Sequence, residues 1–282
     1  MTDKDVTDTE VVDPLGEIAP LAAPDVNSPP VARQMDGNVA VLTMQSAPHN
    51  FLGEALLDGL LHGLRWAEER GARAVLLRSG LRNFCAGADL KIFQSAQRGV
   101  APDLDLAGAL KVFDELPIPI VAAVHGVCVG GGFEIALACD LVVAAESAKI
   151  GSVEATIGMN PLMGAIQRVT QRAGAARAKE MALLARRYDA RILERWNIFN
   201  RVVADDKLTA VSLTLAHELA NGPTLAHAST KAIVSYAVEH GVRATDDAMK
   251  DLQKEFWKSR DLKEGLASIE VNGPGAARFE GR

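Results

Sequence analysis

The alternation of apolar and polar residues divides the chain into short strands, helices and loops. Apolar runs at residues 74–77 and 118–124 are typical of buried strands, and the leucines within residues 56–64 recur at helical spacing. Strands and helices alternate at short spacing up to about residue 204, which predicts α/β layers with parallel strands. From about residue 205 onward the pattern predicts an all-helical appendage.

The pattern assigns each element to a range of residues. Strands are predicted at residues 38–44, 73–78, 118–124, 141–144, 149–153 and 200–203. Helices are predicted from residue 56 to Gly71, in a short segment after Gly132, and at residues 88–97, 106–116, 167–171, 175–184, 190–196, 207–221, 224–239, 244–259 and 262–271. A polar loop is predicted at residues 99–105. A strand–strand–helix rhythm recurs, without a sequence repeat of fixed period.

The N-terminal region differs from the rest of the chain in composition. Residues 1–33 carry seven acidic side chains and five prolines, with no helical or strand period. They predict a mostly disordered acidic tail. The chain is therefore expected to consist of this tail, an α/β core over residues 34–204 and a helical C-terminal segment over residues 205–282.

Overall composition narrows the class of protein. Of the 282 residues, 48% are hydrophobic and 23% charged, which is typical of a soluble globular protein. The net charge of −6 argues against nucleic acid as the main ligand. Glycines and charged residues interrupt the longest apolar block, which indicates a buried core and predicts no membrane span.

The cysteines and the N-terminus bear on the compartment. The three cysteines, Cys85, Cys128 and Cys139, form no Cys-x-x-Cys pair, and no histidine spacing suits zinc. Scattered thiols fit a reducing compartment, so we predict a cytoplasmic protein without a metal site. The acidic N-terminus resembles neither a secretory signal nor a mitochondrial presequence.

A glycine-rich turn at residues 126–132 stands between an apolar strand and a helix. Three consecutive glycines at a helix start leave main-chain N–H groups open, where the helix dipole favours negative charge. Glu134 lies three residues after Gly131, on the same face as this open N-terminus. A glutamate that merely complements the dipole explains the position of Glu134 equally well.

A second turn of small residues, NFCAGADLK at residues 83–91, also follows a strand and opens a helix. The N–H of Ala88 is expected at that helix start. Two such N-termini can direct their N–H groups to one oxygen and form an oxyanion hole. Taken singly, each segment also fits an ordinary tight turn.

Together, the motifs FCAGADL and HGVCVGGGFEIALACD resemble those of the crotonase (enoyl-CoA hydratase/isomerase) superfamily, in the same order and spacing. The resemblance runs from about residue 36 to the C-terminus. It implies a crotonase-type spiral of repeated ββα units, with a C-terminal helical segment that forms a homotrimer or, as a dimer of trimers, a homohexamer.

The resemblance also implies a binding site for an acyl-CoA thioester. The N–H groups of Ala88 and Gly131 would hold the thioester carbonyl. The CoA-binding residues it implies are Ala86, Ala88, Asp89, Leu90, Lys91 and Gly131. Lys91 is either a phosphate contact or an exposed helix lysine. CoA enters as part of the substrate, and no other cofactor is expected.

Two carboxylates complete the resemblance. Family hydratases use two glutamates 20 residues apart, and Glu154 follows Glu134 by 20 residues. The resemblance implies that Glu134 activates water and that Glu154 delivers a proton to the substrate. Taken alone, Glu154 also fits a surface glutamate in a loop at the end of a strand. The presence of both acids favours hydration of a 2-trans-enoyl-CoA.

Several positions depart from the family pattern and keep two alternatives open. Leu162 replaces a glycine that lies near the acyl chain in family hydratases, and Phe51 is larger than usual in a CoA-lining turn that also carries His49. Trp257 either contacts the CoA of a neighbouring subunit or packs in the core. The alternatives are another crotonase reaction, such as Δ3-Δ2-enoyl-CoA isomerisation, and a non-catalytic CoA-thioester-binding protein.

Overall fold

The structure is a computed structural model that describes residues 28–99 and 104–282. Residues 1–27 of the predicted tail and residues 100–103 of the predicted loop lie outside the described residues. The strands of the described part are β1 (Val31–Asp36), β2 (Val39–Met44), β3 (Ala74–Ser79), β4 (Ile120–Val124), β5 (Val127–Val129), β6 (Leu141–Ala145), β7 (Lys149–Gly151), β8 (Tyr188–Asp189) and β9 (Arg201–Val203). Its helices are α1 (Glu54–Glu69), α2 (Leu90–Gln97), α3 (Leu106–Glu115), α4 (Gly131–Ala138), α5 (Ala165–Leu184), α6 (Ala190–Arg195), α7 (Leu208–Ala220), α8 (Thr224–His240), α9 (Val242–Leu252) and α10 (Arg260–Asn272), and 3₁₀ turns lie at Glu154–Ile157, Asp205–Lys207 and Phe256–Lys258.

Six strands form the main sheet in the order β1-β2-β3-β4-β6-β9. Neighbouring strands run parallel except β1 and β2, which form an antiparallel pair at one edge. Val41 is in register with Leu76, and Leu76 with Val121, so apolar side chains form rows across the sheet. Continuous apolar strands of this kind require cover on both faces of the sheet.

A smaller sheet contains β5, β7 and β8. Strand β5 follows β4 after a two-residue turn at Gly126, whose φ is +59°. The order β4-β5-α4 and the order β6-β7-α5, with a 3₁₀ turn before α5, repeat one strand–strand–helix unit. The predicted rhythm is therefore present, and each unit carries its chain from the main sheet to the small one.

Helix α7 covers one face of the main sheet. Its buried side chains pack against alternate residues of the strands, and the helix residues in this cluster are Leu208, Leu213, Ala216 and Ala220. The opposite face packs against α1, α3 and α4 in a second, larger core. Helix α7, the first helix of the segment predicted over residues 205–282, therefore packs in the core of the sheet.

Three other features differ from the sequence pattern. Strand β1 begins at Val31, so the ordered fold starts before residue 34. The pattern did not indicate β1, which alternates weakly at an exposed edge, or β5 and β8, which are only three and two residues long. The two helices predicted at residues 167–171 and 175–184 are one helix, α5, which is kinked at Gly174.

The last three helices keep apolar side chains on their surface. The exposed set includes Val234, Val238, Val242, Leu266, Ile269 and Val271. Within the described ranges, no helix is both long enough and apolar enough to cross a bilayer. All three cysteines are free and buried.

Candidate active site

The turn at residues 84–88 is held between two β-bridges. Cys85 pairs with a residue of β5, and Ala88 pairs with Leu52. Gly87, at a φ of +102°, accepts a hydrogen bond at 2.8 Å from the Leu52 N–H, and Leu52 in turn accepts one from the Asp89 N–H. These bonds leave the N–H of Ala88 without an acceptor among the described residues.

The second turn brings the start of α4 against the first. Gly130 caps the helix with a φ of +54°, and its N–H donates to Gly151 at 3.0 Å. A Cβ on Gly130 would lie 3.5 Å from the Cα of Gly87, so the two turns are in contact. Gly131 is the first residue of α4, and its N–H has no acceptor within the described part of the chain.

The close approach requires glycine in the first turn of α4. A Cβ on Gly132 would lie 2.6 Å from the Cβ of Cys85 and closer still to the Cys85 carbonyl oxygen. A Cβ on Gly131 would lie 2.7 Å from a methyl group of Leu52. A larger residue in place of Gly132 does not fit without moving the helix away from the first turn, whereas one in place of Gly131 meets the end of the Leu52 side chain, which can rotate.

A cavity of about 240 Å³ lies where the two turns meet, and both Ala88 and Gly131 line it. Glu134, Glu154 and Thr156 are the polar side chains of its lining, which otherwise consists of apolar residues and glycines. Two unpaired N–H groups and two carboxyl groups thus face one apolar space. Electrostatic interactions are stronger in such a space because little water is present to screen them.

Glu134 is buried at the floor of this cavity, with 3% of its surface exposed. Its Oε1 accepts hydrogen bonds from the N–H groups of Met163 at 2.6 Å and Ala165 at 3.2 Å, at the start of α5. Burial raises the pKa of Glu134 to about 7; the two N–H groups partly offset this rise, and the charge of Glu154 adds to it. A carboxyl group that titrates near neutral pH is suited to act as a general base or acid.

Glu154 approaches the same space from the first residue of a 3₁₀ turn. A Cβ on Gly130 would lie 3.4 Å from its Oε1, which fixes the carboxyl group beside the second turn. Its Oε2 is buried and has no hydrogen-bond partner among the described residues. Burial raises the pKa of Glu154 as well. A buried carboxyl oxygen that makes no hydrogen bond lowers the stability of the fold. Such an atom is expected in a binding site where a ligand supplies the missing hydrogen bond.

The residues predicted to bind CoA separate into two groups. Ala86, Ala88 and Leu90 line the cavity, as does Gly131. Asp89 and Lys91 are not part of the lining: Asp89 Oδ1 accepts a hydrogen bond at 3.0 Å from the Lys91 N–H, and Lys91 is exposed. The structure therefore brings both acids and both predicted N–H donors together, and leaves half-buried Asp89 and exposed Lys91 outside the cavity lining.

Sequence reasoning missed the main-chain groups that bind Glu134. Met163 and Ala165 lie about 30 residues from the carboxylate in sequence, and no side-chain chemistry marks them. A local signal for this segment is a glycine, Gly164, that lies immediately before α5. In the structure its φ is +95°. Leu162, which replaces a glycine of the family pattern, lines the cavity with 52% of its surface exposed.

Replacing Glu134 by glutamine is expected to stabilise the fold by about 3 kcal/mol at pH 8. The pKa of this residue is about 7 in the folded chain, against an ordinary value of 4.5. The unfolded chain therefore ionises first, and folding stability falls as pH rises from 4.5 to 7 and stays lower above it. The glutamine carbonyl still accepts from Met163 and does not titrate.

Urea unfolding of the two proteins at pH 4.5 and pH 8 measures this difference. We expect the variant to gain stability mainly at pH 8. Equal stability of both proteins at the two pH values would contradict the raised pKa.

Two main-chain N–H groups without acceptors among the described residues lie beside a pair of acids in one apolar cavity. With the strand–strand–helix units that carry them, they assign the chain to the crotonase class of proteins. No three His, Cys, Asp or Glu side chains in the described residues group together as metal ligands.

The chain belongs to the enoyl-CoA hydratase/isomerase family, because the sequence profile of that family matches residues 34–274. It is 35% identical to the carnitinyl-CoA dehydratase of Proteus mirabilis (strain HI4320) over 222 residues, which cover 75% of this chain and 84% of that protein. The crystal structure of an enoyl-CoA hydratase from Polaromonas sp. JS666 has a TM-score of 0.81 at 25% identity, and covers 88% of this chain and 99% of its own. The crystal structure of an enoyl-CoA hydratase from Bacillus anthracis has a TM-score of 0.78 at 26% identity. The match covers 90% of this chain and 100% of that chain. These similarities confirm both the predicted family and the predicted α/β crotonase fold.

Proposed function

We propose that the chain is an enoyl-CoA hydratase that adds water to a 2-trans-enoyl-CoA and releases a 3-hydroxyacyl-CoA. One observation carries this proposal: Glu134 and Glu154 share an apolar cavity with the N–H groups of Ala88 and Gly131, which have no acceptor among the described residues. The names of the similar proteins, which are hydratases and a dehydratase, support the same class of reaction.

The two N–H groups would bind the thioester carbonyl oxygen. Addition of water at C3 pushes electrons onto this oxygen, so the enolate carries more negative charge there than the substrate does. Donors already fixed in position stabilise the enolate more than the ground state, which lowers the barrier. The N-terminus of α4 adds a positive dipole at Gly131.

The two acids would divide the proton transfers. Ionised Glu134 orients the water and accepts its proton as the oxygen attacks C3. Protonated Glu154 donates to C2 as the enolate collapses. Burial raises the pKa of both groups, that of Glu134 to about 7, so each carboxyl group holds a proton more readily than an exposed glutamate does. The addition of water is redox-neutral overall, so it needs no oxidant or reductant, and CoA enters as part of the substrate.

A second candidate is dehydration of carnitinyl-CoA, the substrate in the name of the Proteus mirabilis relative. Dehydration is the reverse of hydration and uses the same groups. Carnitine carries a quaternary ammonium group, which proteins hold with aromatic faces or negative charges. Here Phe93 is the one aromatic residue of the lining formed by described residues, and the negative charges are the two catalytic acids. This apolar lining favours a hydrocarbon acyl chain.

Turnover assays separate these reactions and the remaining alternatives. Loss of the conjugated absorbance of crotonyl-CoA is the expected result. Turnover of carnitinyl-CoA alone would favour the second candidate, and turnover of a 3-enoyl-CoA alone would favour an isomerase. Tight acyl-CoA binding without turnover of any of the three would contradict the proposal and favour a non-catalytic binding protein.

Replacing Leu162 by glycine is expected to shift the preference toward longer acyl chains. The leucine forms part of the cavity wall, and its removal opens space for further methylene groups. The ratio of kcat/KM for decenoyl-CoA to that for crotonyl-CoA should rise by about 10-fold. Leu162→Met keeps the volume and is the matched control. An unchanged ratio in the glycine variant would exclude Leu162 from the acyl pocket.

We also propose a homotrimer or a homohexamer built on the C-terminal helices. Their exposed apolar side chains, such as Val234, Leu266 and Ile269, support an interface on this surface. Trp257 is 62% exposed, so it is free to contact a neighbouring subunit and does not pack in the core of this chain.

A further inference from the structure

A short main-chain segment binds the carboxylate of Glu134, and one charged side chain covers that segment. Its Oε1 is bound by the N–H groups of Met163 and Ala165. Between these two residues lies Gly164, where a Cβ would collide with Nη1 of Arg168. The guanidinium group of Arg168 therefore packs directly on the segment that binds the carboxylate.

Arg168 is itself held by an acid on another helix. Its Nη2 donates to both carboxylate oxygens of Asp114 in α3, at 3.2 and 3.0 Å. Only 16% of the Arg168 side chain is exposed, against 50% for Asp114. Arg168 is the less exposed partner of this pair, and its two hydrogen bonds to Asp114 link the start of α5 to α3.

The groups around Glu134 shift its pKa in opposite directions. Burial is the main cause that raises its pKa, and the N–H groups of Ala165 and Met163 lower it. Among charged side chains, Glu154 in the 3₁₀ turn raises the pKa and Arg168 in α5 lowers it. Arg168 is thus the cation that favours the ionised form of the proposed base.

We propose that Arg168 is a positioning residue for this reaction: it holds the Met163–Ala165 segment against Glu134. It does not line the cavity, so its action passes through the main chain and through its electric field. This inference rests on the proposed hydratase function for its kinetic consequence, whereas its structural consequence can be measured without turnover.

The test compares two substitutions of Arg168 on the full chain with crotonyl-CoA. Arg168→Met keeps the aliphatic stem and removes the charge, so kcat should fall by about 10- to 100-fold as the base loses its position. The limb of the pH–rate profile that reports Glu134 should move to higher pH, and KM should stay close to that of the parent protein. Arg168→Lys keeps the positive charge but lacks the planar guanidinium group. Its pH–rate profile should therefore match that of the parent protein, whereas its kcat should recover only in part.

Two further variants separate position from charge. Asp114→Asn weakens the hydrogen bonds that hold Arg168 but keeps the positive charge of Arg168. The rate should therefore fall, while the limb of the pH–rate profile that reports Glu134 should not move to higher pH. Arg177→Met removes another arginine of α5, which pairs with Glu180 and packs on Trp196 far from the cavity lining. This control should leave both the rate and the pH profile unchanged.

A carbon-13 NMR titration of the Glu134 carboxyl group, assigned with Glu134→Gln, gives a readout without substrate. The inference predicts a higher titration midpoint in Arg168→Met than in the parent protein and in Arg168→Lys. An unchanged midpoint in a folded Arg168→Met protein would overturn it. Failure of the parent protein to hydrate crotonyl-CoA would contradict the proposed function alone, because the NMR titration still decides the role of Arg168.

Discussion

Replacing Glu154 by glutamine is expected to lower kcat for crotonyl-CoA hydration by about 10³-fold. The amide has the same shape but cannot deliver a proton to C2 of the substrate. The Oε2 atom of Glu154 makes no hydrogen bond to a described residue, so no part of the fold depends on it. Thermal stability should therefore stay the same or rise slightly, because a buried group that favours ionisation in water is removed.

Steady-state kinetics and thermal unfolding of the same preparation measure the two effects together. Glu115→Gln is the matched control, since this glutamate lies exposed on α3 and pairs only with Lys111 among described residues. It should leave the rate unchanged. A Glu154→Gln protein that hydrates crotonyl-CoA at the parent rate would show that the second acid has no catalytic role.

Replacing Gly132 by alanine is expected to destabilise the fold by about 3 kcal/mol and to abolish most of the activity. The new methyl group would overlap the main-chain oxygen and the Cβ of Cys85, and neither atom can rotate away. Helix α4 must then shift from the first turn. That shift would change the position of the Gly131 N–H relative to the Ala88 N–H and disrupt the proposed oxyanion hole, so loss of rate should accompany loss of stability.

Urea unfolding together with the crotonyl-CoA assay tests this expectation. Gly265→Ala is the control, because Gly265 lies within α10 and the nearest atom to its Cβ would be 3.5 Å away. That variant should be neutral or more stable, since alanine favours a helix more than glycine does. A Gly132→Ala protein of full stability and activity would contradict the close contact of the two turns.

The fold of the site could be predicted from sequence because the main signals are local. Glycines between an apolar strand and a helix indicate a main chain that closely approaches another group, and the contact of Gly132 with Cys85 is such an approach. The 20-residue spacing from Glu134 to Glu154 carried the resemblance, and both acids do line one cavity. Whether these residues act as proposed is still a prediction.

The features that sequence did not indicate depend on contacts between distant segments. The sequence predicts helix α7 as a helix, but only the assembled sheet determines that it covers strands such as β2 and β3. The binding of Glu134 by Met163 and Ala165 uses main-chain N–H groups, which every residue but proline possesses. The contact of Arg168 with Gly164 likewise needed coordinates, since an arginine on a helix is usually solvated.

A crystal structure of the Glu154→Gln protein with crotonyl-CoA bound would test the account most directly. If Ala88 and Gly131 form an oxyanion hole, the thioester oxygen should lie at about 2.7–3.1 Å from the N atoms of both residues. The account also predicts that C2 and C3 of the acyl chain lie between residue 154 and Glu134. A thioester oxygen bound by neither N–H group, or an acyl chain outside this cavity, would contradict it.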